Sequence, residues 1–208
     1  MAARLAVSPT GFRRLVESRV EEKDYEKSIF RHARPHFIWI WHAACAGAKA
    51  PEGLWQGFDG EWLHVSSQLI ALAEVTPAER FGWRPAPGVR STSEVYMHIA
   101  LANFYLLSVT GPKMPVELTR EPAPGFNMEK SVTSKAEVIN WLKRSLEAVK
   151  QAHLAVTPQD LQRKVHIYDR DTNVDGMYLR IIVHANEHMG QLVAYARMTG
   201  VVPPWSGN

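Results

Sequence analysis

The sequence of 208 residues predicts an all-α fold, a four-helix bundle preceded by a poorly defined N-terminal arm. Long segments carry apolar residues at spacings of three and four, signals for helix starts and ends separate them, and little of the chain alternates as a strand does. We expect the bundle in residues 51–208. We expect residues 1–50 to be the arm, either partly disordered, because no clean apolar stripe is present there, or a signal-like segment, because an apolar run lies within residues 31–50.

The first helix of the bundle is predicted between Trp55 and Ala73. Its buried face is marked by apolar residues at helical spacing, which are Trp62, Val65, Leu69 and Leu72. The helix must end before Pro77, because proline disfavours the helical conformation in the residue that precedes it.

The second helix begins at a capping box formed by Ser91 and Glu94. The serine hydroxyl can accept a hydrogen bond from the backbone of residue 94, and the glutamate can accept one from the backbone of residue 91. The following residues 95–107 are apolar nearly all round, which indicates a buried helix. His98 lies in the middle of this apolar segment, an unusual place for a histidine.

The second half of the chain supplies the other two helices. Gly111–Phe126 contains four prolines and two glycines and is predicted to be a loop. A third helix is expected at about Ser134–Ala155, followed by a charged, turn-rich segment from Lys164 to Asp175. The fourth helix, from about Val174 to Met198, stops before Gly200, a residue favoured just beyond helix ends.

Composition excludes several classes of function. The net charge of +3 is weak, and no basic run is interleaved with aromatic residues, so we expect no nucleic-acid partner. No segment approaches the ~20 apolar residues of a membrane-spanning helix, so no membrane association is expected. The single cysteine, Cys45, excludes an intramolecular disulfide and a cysteine-rich zinc module. We expect a cytoplasmic protein, with export as the alternative if residues 31–50 act as a signal segment.

The candidate site starts from two histidines on the fourth helix. His184 and His188 are four residues apart, so they project from one face of the helix and can hold one divalent ion through their ring nitrogens. Two ligands are too few for a tight site, and in a bundle a facing helix can supply a third, which points to His98. Three protein ligands would leave a position open for water or substrate. The competing interpretation is a hydrogen-bonded core histidine and an exposed histidine pair.

Two further polar residues lie close to the histidine pair. Gln191 is near the same stripe and could orient a ligand through a hydrogen bond. Glu187 could act as a general base, although a surface ion pair with Arg180 is at least an equal interpretation. Both are weak catalytic candidates. The HExxH arrangement of zinc peptidases is absent, because Glu187 directly precedes the second histidine.

These motifs resemble those of the DinB-like superfamily. The resemblance is carried by the segment from Trp83 to His98 and by the final His-x-x-x-His-x-Gly-Gln helix, and it covers about residues 55–206. It implies a four-helix bundle, often dimeric, in which His98, His184 and His188 bind zinc, nickel or a similar divalent ion. It further implies a thiol-dependent transferase or isomerase that uses a low-molecular-weight thiol as cosubstrate.

Three functional hypotheses remain open at this point. The first is a metal-dependent enzyme in which a small thiol, bound as thiolate, attacks an electrophilic small-molecule substrate, as a thiol transferase does. The second is a metal-dependent hydrolase, which would need no added thiol. The third is a non-catalytic binding or stress-response module that the metal ion only stabilises. A homodimer is expected in each case.

Overall fold

Four long helices make up most of the residues that the structure describes. The computed structural model describes residues 57–119 and 126–207, so the predicted arm, the signal-like segment and Cys45 lie outside the described residues. The long helices are α1 (Phe58–Val75), α2 (Thr92–Thr110), α5 (Lys135–Ala155) and α7 (Val174–Met198). The short elements are α3 (Val116–Thr119), α4 (Phe126–Ser131), α6 (Pro158–Gln162), β1 (Lys164–Ile167), β2 (Arg170–Asn173) and 3₁₀ turns at Ala78–Arg80 and Pro204–Ser206. The predicted all-α four-helix bundle is confirmed.

The long helices pack in a four-cornered arrangement. Helix α2 packs against α5 and α7, and α1 packs against the same two helices, so α1 and α2 stand at opposite corners. The predicted stripe of α1 is fully buried, and the indole Nε1 of Trp62 donates a hydrogen bond to the carbonyl of Leu146 in α5 (3.1 Å). Helix α2 is buried on most of its circumference, as its uniformly apolar sequence predicts.

Side chains cap the N-termini of the two helices that carry the histidines. The Ser91 hydroxyl accepts from the backbone N–H of Glu94 (3.3 Å), and the Glu94 carboxylate accepts from the backbone N–H of Ser91 (2.9 Å), as predicted. At the start of α7 the side chain of Asn173 accepts from the backbone N–H of Gly176 (2.8 Å). A Cβ at Gly176 would lie 2.3 Å from the hydroxyl of Thr172, so a larger residue here would force the Thr172 side chain to move.

The turn-rich segment before α7 forms a β-hairpin that the sequence analysis did not predict. Strands β1 and β2 pair antiparallel, with Lys164 opposite Asn173 and Ile167 opposite Arg170. The polar, largely exposed composition of both strands hides the alternation that indicates a half-buried strand. None of the helices in the described ranges is long and apolar enough to cross a membrane.

Candidate metal centre

Three histidines from two helices meet at the interface of α2 and α7. His98 comes from α2, and His184 and His188 come from successive turns of α7. One ring nitrogen of each histidine lies within 4.8 Å of the other two. The three ring centroids are 4.5 to 5.0 Å apart. The structure therefore brings together all three residues that the sequence analysis selected, and in the described part of the chain no other trio of His, Cys, Asp or Glu converges in this way.

The spacing of two of the three nitrogens fits a shared ion. The Nε2 atoms of His98 and His184 are 3.2 Å apart. Two nitrogens bound to one zinc ion at ~2.0–2.1 Å and at a tetrahedral angle lie roughly 3.3 Å apart. The pair is thus already spaced as two ligands of one tetrahedral ion would be. His98 is partly exposed at its side chain (25%), so the cluster has an accessible side.

Glu129 in α4 determines which nitrogen of His98 faces the cluster. Its Oε2 lies 3.0 Å from the Nδ1 of His98, and its Oε1 lies 2.5 Å from the Nε of Arg90. Burial raises the pKa of Glu129, but the hydrogen bonds from His98 and Arg90 outweigh it and leave that pKa lowered. An ionised carboxylate can only accept, so the Nδ1 of His98 donates and its Nε2 keeps a lone pair directed at the cluster.

A second hydrogen-bonded chain orients His188. Its Nδ1 donates to the Oε1 of Gln191 (2.9 Å), whose amide donates to the hydroxyl of Tyr195 (2.8 Å). The Tyr195 hydroxyl in turn donates to the backbone carbonyl of Arg90 (3.2 Å). Because the Nδ1 of His188 carries the hydrogen, its Nε2 is the nitrogen available as a ligand.

His184 is the most deeply buried member of the cluster, with 6% of its surface exposed. Burial, followed by the positive charges of the neighbouring histidines and of Arg180 and Arg90, lowers the pKa of His184 to about 3. Burial is also the main cause that lowers the pKa of His188. The Nδ1 of His184 is buried and has no hydrogen-bond partner among the described residues. A neutral imidazole is the form that binds a metal ion.

Glu187 lies at the edge of this site. Its carboxylate is 3.6 Å from the Nη1 of Arg180 and is 58% exposed, which is the ion pair weighed in the sequence analysis. A catalytic role for Glu187 or Gln191 stays a prediction. Glu94, by contrast, is occupied by the helix cap and by a 3.0 Å ion pair with Arg84.

The fold and the cluster together define a class of protein, the helical bundle with a candidate three-histidine site for one metal ion on two facing helices. The chain belongs to the DinB superfamily, whose family model matches residues 61–192. No curated protein sequence matches the chain.

Solved structures of DinB-like proteins share the fold. A DinB-like protein from Bacillus cereus is 25% identical, with a TM-score of 0.60 over 72% of this chain and 95% of that one. A DinB-like protein from Bacillus subtilis, YjoA, is 17% identical, with a TM-score of 0.55 over 73% of this chain and 98% of that one. YfiT from Bacillus subtilis, described as a probable metal-dependent hydrolase with an unusual four-helix bundle topology, is 12% identical, with a TM-score of 0.53 over 70% and 87%.

The stability of the metal-free protein should fall as the pH is lowered from 6.5. In the unfolded chain His184 titrates at the ordinary 6.5, whereas in the fold its pKa is about 3. Between these values the unfolded state binds more protons, so the free energy of unfolding decreases as the pH falls. We expect a slope of about 1 kcal/mol per pH unit between pH 6.5 and 5, measured by urea unfolding with a chelator present. His184→Gln should flatten this slope, and His64→Gln, at an exposed position, should leave it unchanged. An equal slope in all three proteins would contradict the assignment.

Replacing Glu129 should weaken metal binding without unfolding the bundle. In Glu129→Gln the side chain can still accept from His98 but no longer carries the charge that makes the ring a better ligand. We expect the dissociation constant for zinc to rise by roughly 10-fold to 100-fold, measured by competition with a chromophoric chelator. Glu137→Gln removes the same charge from an exposed site on α5 and serves as the control. Equal affinities in the two variants would show that Glu129 does not act on the site.

Proposed function

We propose that this chain is a metal-dependent enzyme in which His98, His184 and His188 hold one divalent ion, zinc or nickel, and that it transfers a small thiol to an electrophilic substrate. The observation that carries the proposal is the convergence of one nitrogen from each ring within 4.8 Å. Three protein nitrogens leave a position open, which is the pattern of catalytic rather than structural zinc sites.

The surrounding residues orient the histidine rings as metal ligands. Glu129 and Gln191 accept hydrogen bonds from the Nδ1 atoms of His98 and His188, so the Nε2 lone pairs remain available to a cation. The low pKa of His184 keeps its ring neutral without the help of a metal ion. The cluster is therefore preorganised, and little proton release has to accompany ion binding at His184.

The carboxylate of Glu129, which holds His98, is not available as a general base. When bound, a divalent ion favours the deprotonated form of a thiol, so that no carboxylate has to remove the proton. The carboxylate of Glu129 is engaged by His98 and Arg90, and that of Glu187 pairs with Arg180. Attack by a thiolate needs no carboxylate base, so it is compatible with this arrangement whether or not Glu187 stays paired.

Metal-dependent hydrolysis is the second candidate, because YfiT, which shares the fold, is described as a probable metal-dependent hydrolase. In that reaction Glu187 would be the general base. Its ion pair with Arg180 is long, at 3.6 Å, and its side chain is exposed, so it could turn towards a substrate. The two enzymatic reactions differ in their need for added thiol. The homodimer, the small-molecule substrate and the cytoplasmic location stay predictions.

Replacing either histidine of α7 should remove the metal ion and leave the fold intact. His184→Ala and His188→Ala each leave two ligands, too few for a tight site. Elemental analysis of protein purified without an affinity tag should give one ion per chain for the natural sequence and for His64→Ala, and far less for the two variants. Far-ultraviolet circular dichroism should confirm an intact bundle. A variant that retains one tightly held ion per chain would refute the ligand assignment.

Turnover should require both a thiol and the metal ion. A panel of electrophiles and esters is assayed with and without a small thiol, before and after chelation, and His188→Ala reports the background reaction. Loss of the electrophile product on omission of either thiol or metal is the expected result. Ester turnover without thiol would favour the hydrolase. Inactivity of metal-loaded protein across the panel would favour a metal-stabilised binding or stress-response module.

A further inference from the structure

Arg180 lies beside the histidine cluster on α7. It is one turn before His184 and about 40° around the helix from it. Its ion pair with Glu187 spans seven residues, so the two side chains meet on the helix surface alongside the turn that carries His184. The guanidinium is therefore a neighbour of the metal-ligand face and belongs to the same stripe of α7.

The pairing of Arg180 leaves its guanidinium available to a ligand. The distance to the Glu187 carboxylate is 3.6 Å, and the side chains are 32% and 58% exposed. Long, exposed ion pairs of this kind contribute little to stability, so another anion can replace Glu187 at small cost. No hydrogen bond from the guanidinium to another side chain is present among the described residues.

Arg90, the second arginine near the cluster, has a different role. Arg90 donates to Glu129 at 2.5 Å, and Glu129 in turn holds His98, so Arg90 belongs to the support of a ligand. The positive charges of both arginines also help to lower the pKa of His184. Of the two, Arg180 is the one that can turn to a bound molecule without disturbing a ligand.

We propose that the substrate bound at the histidine cluster carries a carboxylate that binds the guanidinium of Arg180 in place of Glu187. The planar fork of arginine matches a carboxylate with two parallel hydrogen bonds. The inference rests on the proposed function and names the substrate class of that site. The carboxylate could belong to the thiol or to the electrophile, and the chemistry recognised at Arg180 is the same in both cases.

The test measures binding to the full chain loaded with cobalt(II). In the thiol arm, 3-mercaptopropionate is compared with its neutral amide, through the absorption band that a thiolate produces on cobalt and through calorimetry. In the second arm, propionate is compared with propionamide by calorimetry alone. We expect the anion to bind about tenfold more tightly than its amide in at least one arm. A preference in the thiol arm alone shows that the carboxylate is recognised when it belongs to the bound thiol, and a preference in the second arm shows that it is recognised without a thiol, as a carboxylate on the electrophile would be.

Variants separate Arg180 from the ion as the source of the preference. Arg180→Gln should abolish the preference for the anion, and Arg180→Lys should retain part of it, because lysine keeps the charge but not the planar fork. Arg197→Gln is the matched control on the same helix, roughly 25 Å further along its axis, and should behave as the natural protein does.

The outcomes are distinguishable from a failure of the proposed function. If cobalt binds but the anion and its amide bind equally, the role of Arg180 is refuted and the metal site stands. If the preference persists unchanged in Arg180→Gln, the ion or another group recognises the anion, and the inference is again refuted. If no cobalt binds to the natural protein, the proposed function fails first, and the inference falls with it.

Discussion

The packing of α2 against α7 is the constraint on which the candidate site depends. Helix α7 can supply two ring nitrogens from successive turns, but a third has to come from a facing helix held in register. Met97 and Ile99, the neighbours of His98, are completely buried, so apolar contacts fix the position of α2. Close-packed interiors tolerate little displacement, and the site therefore takes its geometry from the hydrophobic core.

The arrangement of hydrogens explains why such a cluster favours a cation. The N–H groups of His98 and His188 point outward to Glu129 and Gln191, which leaves lone pairs directed at one another across the cluster. His184 adds a third ring that burial keeps neutral. Without an ion the Nε2 of His184 can donate a hydrogen bond to the Nε2 of His98, 3.2 Å away, and a bound cation would replace this hydrogen bond with two ligand bonds.

Helix positions and the histidine pair of α7 could be predicted from the sequence because both follow local rules, whereas His98 could be predicted because a histidine is unusual in a buried apolar helix and a bundle can supply a third ligand from a facing helix. The spacing of Trp62 and its stripe, the Ser91 capping box and the four-residue interval of His184 and His188 each depend on one element. Glu129 could not be predicted. A carboxylate behind a ligating histidine is expected in general, but this one follows a proline-rich segment 31 residues after His98, and no spacing rule relates the two.

The two arginines and the two carboxylates around the cluster form two ion pairs. One pair is held tightly and the other loosely. Glu129 is nearly buried and uses both oxygens, one for His98 and one for Arg90, so moving either partner would leave a buried charge unpaired, which is costly. Glu187 is exposed, Arg180 is partly exposed and the two are loosely paired, so their rearrangement costs little. Substitutions at positions 180 and 187 would therefore change the edge of the cluster without disturbing the contacts that Glu129 makes to His98 and Arg90.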